Sequence, residues 1–366
     1  MPSARAVSIV HEDPASCSFV GDIDQVPVTL AMEEGYCVAC VGIIANPSSG
    51  KDIRRLVAHG SVFNNNEKVN IVRRVLLGLD AAGVDTVLTM PDAFHICWKA
   101  QDNLKLAATV RELDMLVESN QSDTVRAAAQ MCDQGVDCIV SLGGDGTNRA
   151  LAKACGAVPL LPLSTGTNNV FPYMLEGTLA GLAAGIVARG VVTLAEAIVQ
   201  RPRLDIEVNG AVVDLALIDA VVCEDQYVAS RAIWDITRVR MVVVAQRLPA
   251  QIGFMALAGN LPLDGAPADS GLVLEIHPTA PTVLAPIAPG LIVPVGVQRH
   301  ATLAVGERVE VTGGPGTIAL DGEREVVMRR HDHVAIRLQP AGPRVINPQH
   351  VLALAAQQGF FVQGRM

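Results

Sequence analysis

Aromatic residues are scarce: seven Phe, three Tyr and two Trp make up 3% of 366 residues. Any core must therefore be aliphatic, and no basic or aromatic stretch is available for docking on a membrane. Positive charge is also short. Lys and Arg number 28 against 37 Asp and Glu, a net charge of −9. That balance excludes nucleic acid and anionic membrane surfaces as the main partner, while leaving room for an anionic ligand in a local pocket. No apolar run reaches transmembrane length. The first 34 residues carry acids and prolines and lack the basic-then-apolar pattern of a leader. The eight cysteines (Cys17, Cys37, Cys40, Cys97, Cys132, Cys138, Cys155, Cys223) are scattered through apolar segments. They read as free thiols of a cytoplasmic protein. Cys37 and Cys40 form a C-x-x-C, but without a second pair or a nearby His they are weak support for a metal or redox site.

What the chain has is aliphatic bulk and alternation. Half its residues are hydrophobic and 18% are charged, ample for two or three domains. Strands are predicted at 38–45, 84–90, 114–118, 137–142 and 158–163. Helices are predicted at 67–82, 96–110, 122–134, 147–155 and 171–189. Strand and helix alternating at this spacing predict βαβ units and a parallel sheet. After Arg201 short apolar runs are divided by turn residues such as Asn209-Gly210. Strands are predicted at 204–208, 212–222, 239–244, 272–277, 291–295, 308–312, 317–320 and 326–338, and a last helix at 349–358. The proline-rich stretch 278–289 reads as a loop. The expected fold is α/β: a parallel-sheet N-terminal domain, a second β-rich, mostly antiparallel domain, and a C-terminal helix returning to the first. The expected boundaries are an extension at 1–36, a nucleotide-binding domain at 37–170, a helix plus β-rich acceptor domain at 171–345 and the returning helix at 346–366.

The most informative segment is Leu142-Gly143-Gly144-Asp145-Gly146-Thr147. An apolar strand runs into three glycines around one aspartate, and a helix follows at once. Bare backbone N–H groups at a helix N-terminus attract phosphate. An aspartate there repels phosphate unless it serves a metal or a proton, and phosphoryl transfer needs such a group beside the acceptor hydroxyl. Two further loops leave predicted parallel strands at the same edge, where ligands of open α/β sheets bind. One holds Asn46, Ser48, Ser49, Gly50 and Lys51, with Arg54 beyond it. The other holds Gly166, Thr167, Asn168 and Asn169. Neither a P-loop nor a dinucleotide fingerprint fits, because Ala45 and Asp52 break the first pattern and Arg149 ends the second.

The sequences NPSSGK, GGDGTN and GTNN, in that order, resemble the superfamily of NAD kinases and diacylglycerol kinases. The layout from Val38 onward is most similar to its acetoin catabolism protein X group. The resemblance implies an α/β ATP-binding domain and a β-rich domain with the active site between them. It implies the role of essential base or metal-linked residue for Asp145, and phosphate contacts for Asn46, Ser48, Ser49 and Gly50. Asp321-Gly322-Glu323 matches the lipid-kinase D-G-E triplet. Where NAD kinases hold a ribose with Asn-Glu or Asn-Asp, this chain has Ile218-Asp219, so NAD is a doubtful acceptor.

Simpler roles stand beside these. Each glycine loop can be a turn or a helix cap, and Asp321-Gly322 a hairpin turn. Asp219 is either a core carboxylate or an acceptor contact. His331 and His333 read as a solvent-facing strand rather than a metal site. The expected function is ATP-dependent phosphoryl transfer to a hydroxyl of an NAD-like dinucleotide or a small molecule, linked to acetoin catabolism. ATP and Mg2+ are the expected cofactors, and Asp219, Asp321 and Glu323 the acceptor contacts. No metal-binding residues are assigned. The expected partner is a small-molecule or nucleotide substrate, with self-association left open. A nucleotide-binding regulator and a lipid kinase are the alternatives.

Overall fold

The chain is described by a computed structural model over residues 38–50, 59–61, 63–225, 236–248, 250–262, 267 and 270–362. Lys51, Arg54, Cys17, Cys37 and the segment 1–36 lie outside the described residues. The first half runs β1 (Cys40–Ala45), α1 (Asn65–Ala81), β2 (Thr86–Thr89), α2 (Ile96–Ala100), β3 (Thr109–Glu112), α3 (Gln121–Asp133), β4 (Cys138–Gly143), α4 (Asp145–Ala152), β5 (Leu160–Ser164), α5 (Gly177–Ala188), α6 (Leu194–Ala197) and β6 (Ile198–Gln200). The second half runs β7 (Arg203–Val208), β8 (Ala211–Ala216), β9 (Asp219–Cys223), β10 (Val239–Val244), α7 (Met255–Asn260), β11 (Gly271–Ile276), β12 (Thr282–Ala288), β13 (Leu291–Leu303), β14 (Arg308–Glu310), β15 (Gly316–Leu320), β16 (Glu323–Met328), β17 (Val334–Gln339), β18 (Arg344–Ile346) and α8 (Pro348–Gln357).

The first sheet has the order β3-β2-β1-β4-β5-β18-β6 and is parallel up to β18. Strands β4 and β5 are buried along their whole length, as strands covered by helices on both faces must be. The chain winds one way from β1 through β2 to β3, then the other way through β4 to β5. The reversal between β1 and β4 opens a crevice at their carboxyl ends.

Helix starts follow local chemistry. The Asn64 side chain accepts from Glu67 N at α1, and Asn120 and Asp123 make a capping box at α3. The glycines of α5 are a packing device. A Cβ added at Gly181 would lie 2.2 Å from the Val75 carbonyl oxygen, and one at Gly177 2.8 Å from that of Ile71. Gly177, Gly181 and Gly185 thus form a groove, one turn apart, in which α1 lies at close range. Helix α5 therefore shares its core with β1 and β4. The expected boundary at residue 171 falls ahead of this helix, whose buried residues cluster with those of the first sheet.

The second half is antiparallel. A large sheet has the order β12-β13-β11-β10-β9-β15-β16, and a small one the order β14-β17-β7-β8. One face of the large sheet packs on the small sheet through residues such as Ile206, Val222, Val243, Ile318 and Ile336. Its other face packs Val221, Val242 and Leu272 against α7, with Val170 and Phe171 of the first half alongside. The chain then returns: β18 pairs parallel with β5, and α8 packs on α5.

Several predicted elements differ. The helix from Ile96 stops at Ala100, because Asn103 takes a left-handed φ of 62° and turns the chain. The third strand is Thr109–Glu112, not 114–118, where β-branched Thr109 and Val110 favour a strand. The run 212–222 is two strands, and so is 326–338. The proline-rich 278–289 contains a strand, β12, at the edge of its sheet, where a missing N–H leaves no ladder bond unmade. Two short strands that close the first sheet, β6 and β18, are absent from the sequence expectations.

Candidate functional site

The three loops at the carboxyl ends of β1, β4 and β5 meet and bond to one another. Asn46 Nδ2 donates to Thr147 Oγ1 at 2.9 Å, while Asn46 Oδ1 accepts from Ser48 N at 2.8 Å. Thr165 Oγ1 donates to Ser49 Oγ at 3.0 Å. Asp145 accepts from the backbone N–H of Val170 and Phe171, at 3.0 and 2.9 Å to Oδ1. The carboxylate of the glycine loop thereby holds the loop after β5 in place. Asn169 Nδ2 donates to Ser164 Oγ, and Thr167 Oγ1 accepts from Ser61 N.

The glycines are explained by approach distances. A Cβ at Gly143 would stand 2.5 Å from Thr147 Oγ1, and one at Gly144 2.7 Å from Asn169 Oδ1. Gly144 caps α4 without any side-chain hydrogen bond, so no side chain of the cap residue occupies the amides of the first turn. Ser141 Oγ donates to Asn148 Oδ1 at 2.6 Å, and Asn148 Nδ2 to the Gly144 carbonyl at 2.9 Å. Strand, loop and helix are thus clamped together.

Two cations that the sequence reading passed over organise the site. Lys68, on α1, is fully buried. Its Nζ donates to the carbonyls of Asn46, Pro47 and Ser49 at 2.7–3.1 Å. It shapes the Asn-Pro-Ser-Ser loop from below. The signal was present, since Lys68 stands in register with the apolar stripe Val72, Val75 and Leu79. Arg149, four residues after Asp145 on α4, is also fully buried. It pairs with Glu325 at 2.9 Å, Asp214 at 3.3 Å and Asp321 at 3.7 Å, joining the glycine-loop helix to both sheets of the β-rich half. Burial opposes its charge, but the three carboxylates outweigh that and hold its pKa above the usual arginine value.

Asp321 ends a chain of contacts. Its carboxylate accepts from Leu217 N and Ile218 N at 2.8–3.1 Å and is committed to the protein rather than to a ligand. Burial pushes its pKa up to about 6, against the opposing pull of Arg149 and the amides. It sits at a left-handed φ of 51° in the hairpin turn between β15 and β16. The turn expected from Asp-Gly and the buried carboxylate are one feature. Glu323 approaches α4: a Cβ at Gly146 would lie 3.5 Å from Glu323 Oε1.

Between the halves lies a pocket of about 790 Å3, counting its open mouth. Asp145, Asn168, Asp219 and Asp321 stand among its polar lining, and Val170, Ile218, Ile252, Phe254, Ile287 and Leu291 form apolar wall. The structure thus brings Asp145, Asn168, Asp219 and Asp321 to one cavity, and sets the loops of Asn46 and Gly166 beside it. The apolar wall from 252 to 291 had no signature beyond ordinary hydrophobic residues.

The other candidates separate from this site. His331 and His333 lie exposed in the turn between β16 and β17, not on a strand face. Among the described residues no three His, Cys, Asp or Glu side chains are placed to hold a metal. The six described cysteines are free thiols. Burial pushes the thiols of Cys97, Cys138 and Cys155 up, the last to about 12, so they behave as small apolar groups. No helix among the described residues is long and apolar enough to cross a membrane.

Comparison with known proteins agrees with both halves. Residues 41–191 match the family profile of the ATP-NAD kinase N-terminal domain, and residues 202–341 that of the acetoin catabolism protein X C-terminal domain. The acetoin catabolism protein X of Cupriavidus necator is 40% identical over 324 residues, covering 84% of this chain and 89% of the relative. The chain belongs to the acetoin catabolism protein X family. The N-terminal profile also spans α5, in accord with its place in the first core. Solved structures that align over most of the chain include an NAD kinase from Archaeoglobus fulgidus in complex with ATP, at 12% identity, 88% and 100% coverage and a TM-score of 0.39. A Bacillus anthracis protein with a provisional diacylglycerol kinase assignment aligns at 15% identity, 85% and 98% coverage and a TM-score of 0.45.

Proposed function

We propose that this chain transfers the γ-phosphoryl group of ATP to a hydroxyl of an acceptor held in the pocket between its halves, in a step linked to acetoin catabolism. One observation carries the reading: a carboxylate, Asp145, stands at the junction of a glycine-lined helix N-terminus and a pocket open to solvent. On one side are the loops of Asn46, Ser48, Ser49 and Gly50, of Gly143, Gly144, Gly146 and Thr147, and of Gly166, Thr167, Asn168 and Asn169. They offer amides and hydroxyls suited to phosphate oxygens. On the other side is the cavity that would admit the acceptor. Lys51 adjoins the first loop in sequence and completes the proposed phosphate set.

Phosphoryl transfer is mainly positioning and electrostatics. The rigidity given by Lys68, Arg149 and the bonds from Val170 and Phe171 to Asp145 suits that demand. Asp145 would receive or orient the acceptor proton, with Asp219 and Glu323 ordering the acceptor from the β-rich half. Mg2+ would arrive with ATP, held through the nucleotide's phosphates, and would neutralise charge there.

The test is ATP consumption with a panel of acceptors: NAD, NADH, diacylglycerol, acetoin and related polyols. Asp145→Asn is the control, expected to lower kcat by about 10²–10⁴-fold. MgATP should also raise the melting temperature of the wild type, by about 2.7 kcal/mol of added stability at a hundred times Kd. The shift should vanish in Gly144→Val, whose branched side chain would collide with Asn169 of the third loop, a Cβ there standing 2.7 Å from Asn169 Oδ1. Equal turnover by Asp145→Asn, or an unchanged shift in folded Gly144→Val, would refute the assignment.

A further inference from the structure

Every described charged group that lines the pocket is an aspartate. Asp145, Asp219 and Asp321 stand there, and among the described residues no Lys, Arg or His joins them. The nearest buried cation, Arg149, is engaged by Glu325, Asp214 and Asp321. A phosphate-bearing acceptor entering this cavity would meet like charge with no described cation to answer it. The remaining wall is aliphatic apart from one phenylalanine. Ile218 lines the pocket and is 3% exposed, so its wall there is carbon rather than a hydrogen-bonding side chain. Ile252, Ile287 and Leu291 line the pocket and are half-buried.

Such a cavity recognises a neutral molecule that buries carbon and presents an oxygen toward Asp145 and Asp219. We infer that the acceptor is an uncharged alcohol with a compact aliphatic body, not a dinucleotide or another phosphate ester. The inference rests on the phosphoryl-transfer reading above and narrows it. The transfer balances simply: the alcohol oxygen forms a bond to the γ-phosphorus, the bond to the β-bridging oxygen breaks, ADP leaves, and the alcohol's proton passes to Asp145.

The test reads binding, so it does not need turnover. The full chain is saturated with Mg2+ and a non-hydrolysable ATP analogue, which fills the nucleotide loops. Saturation-transfer NMR then measures butane-2,3-diol, hexane-1,2-diol, NAD and dispersed dioctanoylglycerol. The short diols should bind through their methyl and methylene protons. Leu291→Asp and Ile252→Asp should each weaken them by at least about tenfold, while MgATP still raises the melting temperature of both variants. Two half-buried positions are chosen so that one unfolded variant leaves the other to decide. Tighter binding of NAD than of any diol overturns the inference. So does binding of dioctanoylglycerol alone, or diol binding that neither substitution changes. If the diols bind as expected yet ATP never phosphorylates them, the pocket's preference stands and the kinase reading fails.

Discussion

At the residue scale, the site separates carboxylates by their commitments. Asp145 accepts two amide hydrogen bonds, from Val170 and Phe171, through Oδ1. An amide oxygen can accept the same pair. Asp145→Asn should therefore fold with a melting temperature close to wild type while losing turnover. Asp145→Ala should also lose about 1–3 kcal/mol of stability, because it strands both donors. Calorimetry on the two variants separates role from scaffold. Asp321 behaves differently. Folded, it keeps its proton up to about pH 6; unfolded, only to about pH 4. The folded chain thus binds more protons in that interval. The stability this contributes is full below about pH 4 and is lost as the pH rises through 6, an amount on the order of 2–3 kcal/mol. Subtracting the urea-unfolding profile of Asp321→Asn from that of wild type should show this fall. A flat difference between pH 4 and 7 would mean that Asp321 is ionised throughout. The glycine loop and its aspartate stood out in the sequence because a carboxylate between glycines at the end of an apolar strand is unusual. That Asp145 also ties down the loop after β5 was not visible, since Val170 and Phe171 lie 25 and 26 residues further on. Arg149 was not legible because its partners lie far along the chain, 176 residues away for Glu325, whereas Lys68, whose partners lie about 20 residues back, was readable only as a cation on an apolar helix stripe.

At the scale of elements, the strongest periodic segments were legible. Helices α1 and α3 and strands β1, β4 and β10 lie within a few residues of their expected places, since each carries a long apolar pattern and a clear cap or turn. Short elements were not. Strands β6 and β18 have three residues each; β18 exists because β5 offers an edge to pair with, and β6 because β18 does. Helix α5 was legible as a helix but not in its purpose. Its Gly181 has no room for a side chain, with the Val75 carbonyl oxygen 2.2 Å from where a Cβ would be. Gly181→Leu must push α1 away from α5, a repacking that costs about 1–3 kcal/mol or more. It should also loosen Lys68 from the first loop, because Lys68 and Val75 both belong to α1. The expected outcome is a lower melting temperature together with weaker MgATP stabilisation. A variant that melts lower but binds MgATP as wild type does would show that α1 and its loop move independently.

At the scale of the molecule, the first sheet is completed by the end of the chain. Strand β18 covers the edge of β5, whose own loop carries Gly166, Thr167, Asn168 and Asn169. Helix α8 then lays Val351 and Ala355, both fully buried, on the first core. The β-rich half between β6 and β18 is an insertion into the parallel-sheet half, not an appendage to it. The magnitude decides what removal should do. Val345, Ile346 and Val351 are each at most 1% exposed, and full burial of such side chains is worth roughly 1.5–3 kcal/mol apiece. Their sum, roughly 5–9 kcal/mol, rivals the entire stability of an ordinary domain, about 5–15 kcal/mol. A chain truncated after Gly342 should therefore lose the MgATP-induced rise in melting temperature, although every proposed phosphate-binding residue is still present. The antiparallel half keeps its own core through Ile206, Val243 and Ile336. Its β-sheet signal in far-ultraviolet circular dichroism should persist after the helical signal has gone. A truncated chain that melts in one transition and still responds to MgATP would mean that the parallel sheet stands without its last strand and helix.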